Sequence, residues 1–377
     1  MSTYEVYLTD DSGMRIADVY GRLPAGRILD FSASWADGQI GRFAGRFPGS
    51  FDDNLLKPDN MIQIWRRPNG GARSLYGAYL IRKWRFFTQG GDEYINVWGC
   101  DPKHLLWRRI VAAYANEAQS NKTDYADDMM KEIVTQSIAD GVAPVPDAGT
   151  RIWADLSIQT DLSAGPTLTR AFAWQKLLTL SGGGVLPALQ QASNIAGTEV
   201  FFDVRVKSVS SSAISFEFVT KTGQPGADVQ DVVFAQQFGN LTDPFLEFDW
   251  TEEENYIYGA GQGLKDSRVV EQVYDAARYG ASKWNRCEGV AEAGFQDAPN
   301  GVRESARARL REGRPIRRAG GVPVDTQKTR FGVDWSFGDK VTFRYRGYEF
   351  PAIIKAGAVS VDENGRESIT ARLEYEG

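Results

Sequence analysis

Cysteine and histidine are nearly absent from this chain: Cys100 and Cys287 are the only thiols and His104 the only imidazole in 377 residues. Two cysteines 187 positions apart exclude a disulfide scaffold and every multi-cysteine zinc or iron–sulfur arrangement. With one histidine, most hydrolytic mechanisms would have to run through that residue or through carboxylates. No stretch approaches the roughly 18 apolar residues of a membrane span. The opening MSTYEVYLTDDSG has neither the basic start nor the apolar core of a signal peptide, so assembly in reducing cytoplasm is the expectation. An excess of positive charge is missing too. Forty-three Lys and Arg stand against 49 Asp and Glu, a net charge of -6, the opposite of the footprint that grips nucleic acid.

What the chain does have is apolar and aromatic substance. It is 42% hydrophobic and 12% aromatic, with 39 glycines, a composition that suits strands joined by tight turns. From Tyr4 to Asp101 six phrases read as strands: YEVYLTD, ILDFSASW, IGRFAGRF, MIQIWRR, YGAYLIRKWRFF and EYINVWGC. In the last, Tyr94, Asn96 and Trp98 face one way and Glu93, Ile95 and Val97 the other. Six short strands suffice for a small antiparallel barrel or sandwich.

The character then changes. Asp101 and Pro102 are a cap and first-turn pair that predicts a helix through HLLWRRIVAAY. Tyr125, Met129, Ile133 and Val134 recur at helical spacing over 124–139, a loop follows at Pro144, Pro146 and Gly149, and LPALQQASNIAG predicts a third helix ending at Gly197. Strands resume with EVFFDVRV and AISFEFVTKTG and continue through LEFDW, NYIYGAGQG and SRVVEQVYD. GVRESARARLREGR is a charged helix, and the last 45 residues are strands again, with DENG as a hairpin turn. The order is β, α, β, helix, β. The boundaries read as an N-terminal β-barrel domain at 1–104, a helical intermediate domain at 105–198, a second β-barrel region at 199–300, and the charged helix with C-terminal strands at 301–377.

Candidate chemistry is sparse. Gly259, Gly261 and Gly263 follow a strand but precede another strand-like phrase, which favours a hairpin with close backbone approach over a phosphate cradle. A hydrogen bond between Asp101 and His104 is easy to draw, but no nucleophile elbow accompanies it. Asp249, Glu252, Glu253 and Glu254 form the densest acidic run. Its alternating side chains suit a solvated turn better than a single cation, or a negative wall past which DNA slides without sticking. Arg66, Arg67, Arg82, Lys83 and Arg85 form a basic strand set, either an exposed face or a partner for acids of a neighbouring subunit.

The collinear phrases YEVYLTDDSGMRIADV, MIQIWRRPNG, GAYLIRKWRF, VWGCDPKHLLWRRIV, QQASNIAGTEVFFDV, FEFVTKTGQPGADV, NYIYGAGQGLKDSRVVEQVYD and RFGVDWSFGDKVTF span nearly the whole chain. Together they resemble the tail hub, or minor tail, proteins of long-tailed bacteriophages, relatives of baseplate hubs. The resemblance implies a mainly β fold with α segments: two tube-like antiparallel β-barrel domains, a helical insert and a small C-terminal β region. It also implies a non-enzymatic homotrimeric ring at the virion tail tip, assembled in the host cytoplasm. That ring would adapt a sixfold tail tube to a threefold tip around a DNA passage. Its partners would be the distal tail or tube ring, the tape measure protein and tip or receptor-binding proteins, with no cofactor, metal or membrane span. Asp249, Glu252, Glu253 and Glu254 are the candidate channel-facing residues. Two other classes stay open: a carbohydrate-binding tail-tip module stacking exposed aromatics on glycans, and a cell-wall hydrolase with two acids about 5–10 Å apart in a cleft.

Overall fold

The computed structural model describes residues 2–19, 28–68, 71–111, 120–139, 151–172, 174–263, 267–293 and 299–374. The loop expected at Pro144, Pro146 and Gly149 lies outside them. Seven strands build a first lobe: β1 (Thr3–Thr9), β2 (Arg15–Asp18), β3 (Asp30–Ala36), β4 (Arg42–Pro48), β5 (Met61–Arg67), β6 (Ser74–Gln89) and β7 (Asp92–Cys100). They pair in the order β2, β1, β5, β6, β7, β4, β3. Alternation decides which face is core: Ile95 and Val97 of β7 are buried with Phe43 and Phe47 of β4, while Asn96 and Trp98 point outward. The β6–β7 hairpin closes on Gly90 and Gly91, both at positive φ, as a two-residue turn of this hand requires.

A middle unit follows: α1 (His104–Trp107), β8 (Ile110–Val111), β9 (Ser120–Tyr125), α2 (Ala126–Val134), β10 (Leu156–Ile158), β11 (Thr167–Phe172), β12 (Gln175–Lys176), α3 (Val185–Ile195), β13 (Val200–Val209) and β14 (Ile214–Thr222). The helix expected after Asp101 stops after one turn. The β-branched pair Ile110–Val111 leaves it to pair with Gln175–Lys176, a tertiary contact that overrides local helix spacing. The helix expected over 124–139 begins at Ala126 and ends in a wider π turn, Thr135–Ala139, with Met129, Ile133 and Val134 buried as the spacing predicts. Strands β13 and β14 join β10 and pack on α2 and α3 through Phe202, Phe218, Met129 and Leu189.

The remaining elements are β15 (Asp228–Ala235), β16 (Leu241–Asp249), β17 (Tyr256–Ala260), β18 (Val270–Tyr274), α4 (Ala276–Tyr279), β19 (Glu288–Glu292), α5 (Pro299–Glu312), β20 (Ile316–Pro323), β21 (Lys340–Tyr345), β22 (Tyr348–Val361) and β23 (Glu367–Glu374). A second lobe pairs in the order β16, β20, β23, β22, with β21 and then β15 branching from β22. The DENG turn forms as expected. The Asp362 carboxylate accepts the Asn364 and Arg366 N–H groups, and Gly365 takes the left-handed conformation.

The two lobes are one sheet. The 14-residue β22 gives its first half to β21 and its second half to β3, pairing Ala356 with Ala36 through Val361 with Phe31. Thirteen strands thus form one sheet, and Val6 and Phe43 share a core cluster with Phe234, Phe343 and Ile354. The mainly β class with α segments is as expected, but the two barrels are not closed. Among the described residues β2 pairs only with β1, and β15 does not pair with β16. The physical reason lies at the seam: β3 places its free edge against β22 of the other lobe, which leaves the four-residue β2 nothing to close upon.

Strands β18, β17 and β19 make a separate three-stranded satellite with α5 across one face. The glycine phrase is the predicted hairpin with close approach: a Cβ on Gly259 would sit 2.8 Å from the Val302 carbonyl oxygen and 3.1 Å from Ala306 Cβ, both on α5.

Candidate assembly surfaces

Where the first lobe, the second lobe and the middle unit meet, charged side chains are buried together. Lys103 is fully enclosed. Its Nζ donates to the Ala36 carbonyl at 2.8 Å and lies 3.5 Å from Asp101 and 3.7 Å from Asp203. Lys355 of β22 lies 3.1 Å from Asp37 and 3.4 Å from Glu199, and Gln190 of α3 donates to both carboxylates. Burial pushes the Asp101 carboxyl up to about 6, against the pull of Lys103. Burial would lower both lysines, but the surrounding carboxylates outweigh it and raise them. The cluster therefore works as an ionic clamp: four carboxylates and two ammoniums drawn from β13, β22, the turn between β7 and α1, and the flanks of β3 and α3. No local motif announces it, because its six charged members come from four separated stretches of sequence.

Beside the clamp lies a cleft of about 550 Å³, lined by Trp35, Tyr76, Phe331, Phe337 and Asp203. Asp101 reaches its wall, but both carboxylate oxygens are taken by backbone N–H groups, Gly41 at 2.8 Å and Lys103 at 3.1 Å. That is the geometry of a structural anchor, without a proton presented to a substrate. The Asp101–His104 side-chain bond drawn from the sequence does not form. His104 instead accepts from Arg108 at 3.2 Å and stacks on Trp107. Burial, reinforced by Arg108, lowers its pKa to about 4 and keeps the imidazole neutral. No cluster of three or more metal-ligating side chains occurs among the described residues.

The acidic run divides. Glu253 is buried against Arg278 and Asn285, and Glu254 makes a two-pronged pair with Arg309 of α5 at 2.7 Å. Asp249 caps its own turn through Thr251 N–H, and Glu252 is exposed. All four line a cleft of about 530 Å³ with Glu288, Glu312 and Arg314.

The basic set divides as well. Arg66 is buried: it donates to Glu367 at 2.8 and 2.9 Å, to Tyr4 and to the Phe331 carbonyl, tying β5 to β23. Burial alone would raise Glu367, but hydrogen bonds from Arg66 and Tyr4 outweigh it and hold the carboxyl below its ordinary value. Arg82 pairs with Asp59. Lys83 and Arg85 are exposed on the outward face of β6, with Lys83 over the Trp98 ring.

A surface the sequence reading missed is the outer face of the satellite. Tyr256, Tyr258 and Tyr274 share it, Tyr279 and Tyr274 pack edge to face, and the Arg286 guanidinium lies 4.0 Å from the Tyr256 ring centre. Next to them Trp284 is 81% exposed. The alternation in NYIY and QVY is the local signal for this face, since tyrosines two apart on one strand point the same way.

No curated protein matches the chain. Among solved structures it is similar over 99% of its length to a tail protein from Neisseria meningitidis MC58 (12% identity, TM-score 0.57, 97% of that chain). It is similar over 98% to the 43 kDa tail protein of prophage MuSo2 from Shewanella oneidensis (13%, 0.58, 97%). It is similar over 99% to the prophage tail protein gp18 from Listeria monocytogenes EGD-e (9%, 0.51, 94%). At these identities the likeness is one of fold: a phage tail protein fold, with both lobes, middle unit and satellite in one chain. The family model described as Siphovirus ReqiPepy6 Gp37-like protein matches residues 81–373, from the β6 hairpin to the last strand, and the chain belongs to that family.

Proposed function

We propose that this chain is a non-enzymatic tail hub subunit: a homotrimeric ring that joins a sixfold tail tube to a threefold tip and encloses a DNA passage. The observation that carries this reading is the seam between β3 and β22, which fuses two β lobes side by side in one chain. Three such chains set six lobes in a ring, the number a sixfold tube needs for a pseudo-symmetric contact. The neighbours in this reading are the distal tail or tube ring above, tip or receptor-binding proteins below, and the tape measure protein in the lumen. The place is the virion tail tip, after assembly in the host cytoplasm.

A non-enzymatic role is supported by the engaged state of Asp101, Glu253 and His104, each held by internal partners. A DNA passage calls for a wall that repels phosphate. Of the acidic run, Asp249 and Glu252 are the members free of described ion pairs, and they are the channel-facing residues in this proposal. Glu253 and Glu254 have their charge met locally and lie behind them. The test is native mass spectrometry of the purified chain together with averaged electron micrographs of intact tail tips. A threefold ring of six similar lobes at the tube end is the expected result. A chain that stays monomeric and is missing from tail tips overturns it and brings glycan binding or hydrolysis forward.

A further inference from the structure

The satellite is short of core. Its buried cluster against α5 is Ile257, Ala291 and Ala306, with Val273 and Leu310 partly buried, and on the opposite face Tyr256 and Ala260 are buried as well. The opposite face presents Tyr258, Tyr274 and Val290 to solvent, Val290 being 56% exposed, with Trp284 on the adjoining turn. Tyr, Trp and Arg at the centre of a patch, with charges at its rim, is the composition of a protein interface. The rim is acidic on one side, because Glu288, which is the β19 neighbour of Tyr256 and pairs with Arg286, also lines the cleft holding Asp249, Glu252 and Glu312.

The same chain carries a surface of opposite charge and similar aromatic content. Beyond Leu80 the β6–β7 hairpin runs past the end of β5, and cross-strand pairing places Lys83, Arg85, Phe87, Tyr94 and Trp98 on one outward face. Lys83 and Arg85 are exposed and make no ion pair with a described residue, unlike Arg66 and Arg82 of the same basic set.

We propose that the acidic–aromatic satellite face of one copy receives the basic–aromatic hairpin face of the next copy. The contact joins two different surfaces head to tail and so closes a ring. Charge complementarity selects a second copy as the occupant, and the proposal rests on the ring reading above. Arg85 and Lys83 meet Glu288 at the rim and leave Asp249 and Glu252 to the passage, while Phe87 and Tyr94 cover Tyr274 and Val290.

The experiment uses the full chain with Cys100→Ala and Cys287→Ser. One preparation carries Arg85→Cys and a second Val290→Cys, and they are mixed and oxidised. A disulfide-linked heterodimer that forms in the mixture and in neither preparation alone is the expected result. In parallel, Val290→Arg, a surface change that leaves the melting temperature unaltered, shifts the midpoint concentration of assembly upward by about tenfold or more. Glu288→Arg weakens assembly, and adding Arg85→Glu to the same chain restores it. If the wild-type chain forms trimers but neither the cross-link nor the assembly shifts appear, this contact is overturned and the ring reading stands. Trimers that ignore Val290→Arg, while binding of host cell-wall polysaccharide is lost, also overturn it and give the face to a glycan. A wild-type chain that never assembles removes the ring reading and this contact with it.

Discussion

The two-lobed sheet and the satellite are built alike, from alternating strands with one apolar face, yet they solve burial differently. In the lobes each inward face meets another inward face of the same chain, so Phe43, Phe234 and Phe343 disappear from solvent together. In the satellite one face meets α5 and the other is covered only in part, by Tyr279 and Arg286 over Tyr256, so Tyr274 stands half exposed at the surface. Small units bury too little surface to be secure alone. The lobes are therefore expected to unfold as one cooperative body, and the satellite to open below that limit.

The largest test of this contrast removes the tie between β5 and β23. Glu367→Ala leaves buried Arg66 with only the more distant Asp325 carboxylate, 4.0 Å away, and is expected to cost about 3–5 kcal/mol, measured by denaturant unfolding, with both lobes lost in one transition. Separate melting of the two lobes would break the comparison at its first term.

The clamp gives a pH test of somewhat smaller size. Asp101 has a folded pKa of about 6 against 3.8, so its proton favours the fold, and its contribution is present below 3.8 and lost as pH rises through 6. His104, at about 4 against 6.5, does the reverse: its contribution is present above 6.5 and lost as pH falls through 4. The two oppose each other in one window. Relative to wild type, Asp101→Asn is expected to lose up to about 3 kcal/mol more as pH falls from 6 to 4. His104→Phe is expected to gain over the same interval, and unfolding curves at matched ionic strength read both.

Gly259→Val pushes α5 off the satellite and costs about 1–3 kcal/mol locally. Hydrogen exchange should accelerate across residues 256–260 and 270–292 while β1, β5 and β22 keep their protection. Global loss of protection would show that the satellite is wired into the lobes. The smallest effect is expected from Glu254→Gln, where the half-exposed pair with Arg309 contributes about 0–1 kcal/mol in chemical unfolding.

What could be read from the sequence was what lies within a few residues. Ile95 against Asn96, the DENG turn and the crowding at Gly259 all follow from local spacing, and each has its expected form. What depends on distant partners could not be read. Nothing near Phe31 indicates that its strand will meet Val361, and so two closed barrels were expected where one shared sheet stands. The acidic run looked uniform, but Glu253 becomes buried because α4 brings Arg278 beneath it. The basic set looked uniform too, until Glu367 claimed Arg66 and left Lys83 and Arg85 outside.

The seam also sets a timetable. Strand β3 is synthesised early, but the strand that completes it lies about 320 residues later. At roughly 5–20 residues per second this leaves the first lobe with an open edge for tens of seconds on the ribosome. An unpaired edge is an invitation to wrong partners, and until Ala356–Val361 emerges the lobe lacks its final neighbour. The lobe that is made first must therefore wait for the other, and no copy can offer a finished pair of lobes to another until Val361, and after it β23, has been made.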